Sequence, residues 1–401
     1  MKTTLRAILL LALMSSARLA YSQNYQIVGT QTSTVGNDLR KTVTTVQAGP
    51  AALDRFLVTR VQKAAPGQPH KGTLLLLPPL GSGFQNYEIG DGGDYTKSFA
   101  GFFARRGYDV WGYSQRVQGL AAGTCESGAA DCSAMASWGL QTVLEDVAFI
   151  RGQIALAHPG EKPVVGGLSL GSILTVAAVN QSPQEYAGAV MLEGSLYTTN
   201  AEERAINAGF CAAFDDQLAG GVYYDGQQTP AFKLLSQLAD IAPDAPTPFP
   251  GFPAGFTNHR AWVATMSAPP VGPITPRPGY QFLAGSVAED RFTYADEALV
   301  HANTAAFVDY VATRTVRDVS CGLAGERTFT DNLQAFTGPV IMFAGGRGFG
   351  PEMLDTAALM TNARVTVDYR EDFGHVDHVF ATDHTHLVEH PLLAWLQKEV
   401  R

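Results

Sequence analysis

Val164-Val165-Gly166-Gly167-Leu168-Ser169-Leu170-Gly171-Ser172 is the stretch from which the rest of the chain can be read. An apolar strand runs into it, and residues 173–179 continue as an apolar run compatible with a helix. A strand that enters a helix through so tight a turn crowds the positions two before and two after its apex. Glycine stands at both, as Gly167 and Gly171. The serine between them is presented at the C-terminal edge of the strand, above the positive end of the helix, where a developing anion is favoured. Ser169 is therefore the candidate nucleophile.

Working outward, continuous apolar runs recur at 73–77, 109–113, 163–167, 187–192 and 339–344, as expected of strands covered on both faces. Residues 365–369 read as a last strand. Amphipathic stretches at 98–106 and 139–157 lie between strands. This alternation predicts an α/β fold: a mostly parallel sheet, right-handed crossovers and helices on both faces. Residues 24–62 instead alternate polar and apolar, which predicts antiparallel strands with a turn at 36–38. From 198 to 336 the alternation stops. Helices are predicted at 201–218, 297–316 and 330–336, and ten of the 22 prolines fall between Pro243 and Pro278. Aromatic residues persist there (Phe232, Phe249, Phe252, Trp262, Tyr280, Phe282), so the segment reads as a mainly helical inserted cap, not a linker. The expected division is 1–22 leader, 23–197 first part of the core, 198–336 cap and 337–401 second part of the core.

The leader reading rests on Lys2 and Arg6 before a short apolar run, then small residues at Ala20 and Ser22, a secretory signal pattern. Export makes the even cysteine count meaningful. Four cysteines allow three pairings, and Cys125–Cys132 with Cys211–Cys321 is preferred because a short glycine-containing loop brings the first pair together easily. The 401 residues are 46% apolar and 16% charged, a composition with ample core that excludes disordered and fibrous classes. A formal charge of −9 argues against a nucleic-acid partner, and no later run is long enough to anchor the chain in a membrane.

The chain resembles the α/β-hydrolase superfamily. The matching residues, in order, are Leu74–Leu77 with Pro78-Pro79-Leu80-Gly81-Ser82-Gly83, Gly107-Tyr108-Asp109-Val110-Trp111-Gly112, the Ser169 turn, Gly188–Glu193, Gly338-Pro339-Val340-Ile341-Met342, and Phe373-Gly374-His375. The segment from Ser98 to Trp111 is similar to the lipase and esterase branches. The resemblance covers the core and leaves the cap unexplained. It implies a general base after the last strand, His375, with His378 as rival. His384, His386 and His390 lie further behind, and these late histidines are not expected to form a metal cluster. His70, His158, His259 and His301 are assigned to surface or cap positions.

The acid departs from the family pattern. Relatives place an Asp just after the strand at 339–344, where this chain reads Ala344-Gly345-Gly346-Arg347-Gly348-Phe349-Gly350. Neither Gly348 nor Phe349 can serve. Glu193, at the end of the preceding strand, is the first candidate, because another subset of the superfamily carries its acid there. Glu352 and Asp355 are the alternatives. The oxyanion donors are expected to be the N–H groups of Leu170 and Leu80, since Pro78 and Pro79 have none. The leader implies secretion, and the resemblance implies a serine hydrolase cleaving a small carboxylic ester through an acyl-enzyme, with no cofactor and no metal. An amidase or peptidase with the same residues, or a non-catalytic binding protein of the same fold, is the alternative. Oligomeric state is not read.

Overall fold

The computed structural model describes residues 25–64, 69–226, 228–269, 276–284 and 290–400; the expected leader lies outside them. Three long strands open the chain, β1 (Gln26–Val35), β2 (Leu39–Gln47) and β3 (Arg55–Lys63). They form an antiparallel meander, and Gly36 and Asn37 at positive φ make the first turn. Then follow β4 (Thr73–Leu77), β5 (Asp109–Ser114), β6 (Val164–Leu168) and β7 (Gly188–Leu192). A two-residue ribbon pairs β8 (Tyr224–Asp225) with β9 (Val311–Ala312). Finally come β10 (Pro339–Gly345) and β11 (Arg364–Arg370). The main sheet has nine strands in the order β1-β2-β3-β5-β4-β6-β7-β10-β11. All neighbours from β5 to β11 are parallel.

Every residue of β4, β5, β6, β7 and β10 is buried, which is why these segments read as unbroken apolar runs. The pleat sends alternate residues to opposite cores. Leu75 and Leu77 meet the helices Leu140–Ala157 and Leu170–Gln181 on one face. Leu74 and Leu76 meet Phe99–Arg105 and His390–Glu399 on the other. Burying each such leucine contributes roughly 1.5–3 kcal/mol.

Between β7 and β10 lie the helices Ala201–Ala219, Gln228–Ile241, Asn258–Ser267, Glu297–Ala305 and Thr313–Ala324. Two expectations fail here. The helix foreseen over 297–316 stops at Ala305, because Val308 N donates to Gly81 O at 2.7 Å, Tyr310 is buried and β9 pairs with β8. These pairings outweigh helix propensity in a segment rich in aromatic and β-branched residues. The helix foreseen over 330–336 shrinks to one turn, Leu333–Ala335. Leu333 and Phe336 are buried in the core, and Asn332 N is taken by Asn180 Oδ1 at 2.7 Å. The helix Asn258–Ser267 was not foreseen within the Pro-rich stretch; its Thr257 cap accepts from Arg260 N.

The cysteines pair as Cys125–Cys132 and Cys211–Cys321. The second bridge joins the helices Ala201–Ala219 and Thr313–Ala324 and closes a separation of 110 residues, against 7 for the first. Chain-entropy arguments make the long loop worth about 5 kcal/mol and the short one about 2. The double variant Cys211→Ser/Cys321→Ser is therefore expected to lower unfolding free energy in urea about twice as much as Cys125→Ser/Cys132→Ser. Equal losses would contradict the entropic account.

Candidate active site

The turn at Ser169 is built by close approach. Ser169 adopts φ 57° and ψ −118°, a conformation that costs a non-glycine residue roughly 1–3 kcal/mol and persists only where the surroundings enforce it. Here the enforcement is the end of β4. A Cβ on Gly167 or on Gly171 would run into the carbonyl oxygen of Leu77. Tyr87, fully buried, fastens the same corner: its hydroxyl donates to Leu77 O at 2.6 Å and accepts from Leu168 N at 2.8 Å.

The sheet ladder continues one residue beyond its strands and carries two polar residues into place. Ser169 N donates to Leu192 O at 2.8 Å, and Glu193 N donates to Phe343 O at 3.1 Å. Glu193 also has a positive φ, 55°. Its side chain is wholly buried. One carboxylate oxygen accepts from Gly345 N, and the other accepts from Phe349 N at 2.8 Å. Burial pushes this carboxyl well above the ordinary range, against the pull of those two N–H groups and of the Arg277 charge.

His375 follows β11 on a loop braced by a segment of the insertion. Its N–H donates to Tyr280 O at 2.5 Å, and Val376 N donates to Gln281 O at 3.0 Å. The Tyr280 ring stacks on the imidazole, centroids 5.1 Å apart and 8° from parallel, and Phe349 lies at 5.3 Å. His375 Nε2 is 2.8 Å from Ser169 Oγ, and Nδ1 is 3.5 Å from Glu193 Oε2. The second distance exceeds a normal hydrogen bond, and Nδ1 has no hydrogen-bond partner among the described residues. Catalytic hydrogen bonds are often long before substrate is bound. Burial alone lowers the imidazole pKa to about 3, so the ring is neutral at physiological pH and ready to accept a proton.

Gly348 leaves room for the Glu193 carboxylate. A Cβ there would collide with Glu193 Oε2 and crowd the His375 backbone. The space at Gly348 is occupied by the Glu193 carboxylate, which arrives from the end of the neighbouring strand. The alternatives lie elsewhere. Glu352 is buried in an ion pair with Arg277 at 2.6 Å, and Asp355 accepts from Thr199 N at 2.6 Å. Arg277 also binds Glu203 at 3.0 Å and donates to Gly348 O at 2.5 Å. His378 is buried beside Phe373, with no partner for either ring nitrogen among the described residues. His384 bridges Glu389 and Asp91, and His386 contacts Asp383. In the sequence Tyr280 stands out only as one of the aromatics of 198–336, and Arg277 and Tyr87 not at all, because their surroundings carry no motif.

Leu170 opens its helix, so its N–H has no intrahelical acceptor. Leu80 lies three residues past β4 in a loop held by Gln115 Nε2 on Pro79 O and by Val308 N on Gly81 O.

No family model matches the sequence, and no curated protein matches it. Solved structures do resemble it. A "putative lipase" from Sulfolobus solfataricus superposes with TM-score 0.65 at 20% identity, covering 94% of this chain and 99% of that one. A soluble variant of monoglyceride lipase from Saccharomyces cerevisiae gives 0.52 at 12%, covering 95% and 99%. A thermostable carboxyl esterase from Bacillus coagulans gives 0.52 at 12%, covering 93% and 100%.

Replacing Gly348 by Ala is expected to displace the Glu193 carboxylate and loosen His375. A misplacement of this size near the reacting groups costs roughly 10²-fold in rate. The check is the rate of covalent labelling of Ser169 by a fluorophosphonate, with circular dichroism to confirm folding. A folded variant labelled at the wild-type rate would contradict the role given to this gap.

Proposed function

From its α/β-hydrolase fold, we propose that the chain is an exported serine hydrolase that cleaves a carboxylic ester through an acyl-enzyme. The observation that carries this reading is the 2.8 Å contact of Ser169 Oγ with His375 Nε2, backed by the buried Glu193 carboxylate. In the proposed reaction Ser169 Oγ attacks the ester carbonyl while its proton passes to His375 Nε2. The N–H groups of Leu170 and Leu80 receive the oxyanion, a role in which losing one donor costs roughly 2.7–4 kcal/mol. His375 returns the proton to the departing alkoxide. Water, deprotonated by the same imidazole, then releases the acid and regenerates Ser169. Glu193 holds the ring and stabilises the imidazolium.

The likeness to structures named as lipases and an esterase supports an ester over an amide. The two disulfides support passage through an oxidising compartment. No helix of the described residues is long and apolar enough to cross a membrane. Residues 198–336 are proposed to shape the substrate pocket.

Hydrolysis of p-nitrophenyl esters of increasing chain length tests the reading. Wild type should turn over at least one, and Ser169→Ala should turn over none and resist fluorophosphonate. Labelling of the folded Ser169→Ala variant to the wild-type extent would remove Ser169 from the mechanism.

Two further outcomes separate the parts. Glu193→Gln should lower kcat by roughly 10⁴, whereas Glu352→Gln and Asp355→Asn should retain far more activity. The acid limb of kcat/KM should lie below pH 6.5, because burial holds His375 below its ordinary value and activity falls only as pH drops through the folded pKa. A midpoint at or above pH 7 would show that the neutral base is not favoured by burial.

A further inference from the structure

At the opposite edge of the sheet from Ser169, where β4, β5 and β6 begin, two imidazoles and two carboxylates converge. His70 Nε2 is 2.6 Å from Glu161 Oε2, and His158 Nδ1 is 4.0 Å from the same oxygen. The two rings are stacked, centroids 4.1 Å apart and 5° from parallel. One donor atom from each of His70, His158 and Glu161 lies within 4.8 Å of the others. We propose that these three side chains form a structural site for a divalent transition metal, with zinc the best match.

Three features separate this cluster from a chance surface ion pair. First, His158 is oriented from behind. Its Nε2 lies 2.7 Å from the buried Asp109 Oδ2, which places the ring proton on Nε2 and leaves the Nδ1 lone pair facing Glu161. Metal-binding histidines are held in this way by a carboxylate on their other nitrogen. Second, Arg60 pairs with Asp109 at 2.6 Å, so the nearby positive charge is already neutralised. Third, Glu161 Oε1 is shielded from solvent and has no hydrogen-bond partner among the described residues.

The frame is also rigid. Asp109 is the first residue of β5, His158 caps the helix Leu140–Ala157, and Glu161 N returns to His158 O at 3.1 Å. Lys71 N bonds Gly107 O, which fixes the strand entrance beside His70.

Two imidazoles and one carboxylate suit zinc, copper and nickel and leave one position for water. Ligand atoms around tetrahedral zinc stand about 3.4 Å apart. His70 and Glu161 must therefore open by under an ångström, His158 and Glu161 must close by about half of one, and the exposed His70 ring must turn out of its stack on His158, because two parallel rings cannot aim their in-plane lone pairs at one ion. A divalent ion binds deprotonated ligands, so binding tightens as pH rises. It would staple the connection before β6 to the connection before β4. Lying away from the Ser169 edge, it takes no part in the proposed hydrolysis.

The test is calorimetric titration of tag-free, EDTA-stripped protein with zinc chloride at pH 7.5. Wild type should take up one equivalent, and melting should rise by several degrees as zinc exceeds its dissociation constant. His70→Ala and Glu161→Gln should lose the uptake while melting normally without zinc. His386→Ala should keep it, which excludes the late histidines as the source. No stoichiometric uptake by wild type, uptake that survives His70→Ala, or uptake lost in His386→Ala would each overturn the proposal.

Discussion

A carboxylate that is wholly buried must find donors, because taking it out of water otherwise costs several kcal/mol. Glu193 is in that position, and much of the site follows from how it is satisfied. Its donors are the N–H groups of Gly345 and Phe349, so the chain leaving β10 has to wrap around it. That wrap leaves no room for a side chain at 348, sets the start of the helix Gly350–Leu359, and brings the His375 loop against the same carboxylate. Arg277 supports the wrap from outside by holding Gly348 O.

Much of the scaffold is legible in the sequence, for a simple reason. Strands covered on both faces have no polar alternation, so β4, β6, β7 and β10 stand out as apolar runs, and glycines at 167 and 171 mark where the chain must pass close to Leu77. The candidate acid is half legible. Glu193 at the end of an apolar strand was conspicuous, whereas Gly348 read as a defect. Only the structure shows the two as complementary, one supplying the carboxylate and the other its space.

What stayed hidden depends on tertiary contact. Arg277 stands between Pro276 and Pro278, and Tyr280 just beyond them, where neither helical nor strand period operates. The break after Ala305 comes from long-range partners: Gly81 for Val308, and Glu126 with the Cys125 N–H for the Tyr310 hydroxyl. Arg277 meets two buried carboxylates, Glu203 and Glu352, and burial together with the neighbouring acid raises Glu352 to about 7. Such a cluster is a property of packing, and nothing in the spacing of 203, 277 and 352 announces it.

The run from Gly279 to Gln281 gives the insertion an unexpected standing. Its carbonyls accept the N–H groups of His375 and Val376, and its tyrosine forms one wall of the imidazole. The region between β7 and β10 is therefore not an exchangeable module in the engineering sense. Grafting a foreign segment there to alter substrate choice would also strip the histidine loop of its backbone acceptors. A successful chimera has to retain 277–281 together with the His375 loop, with the seam placed on its N-terminal side.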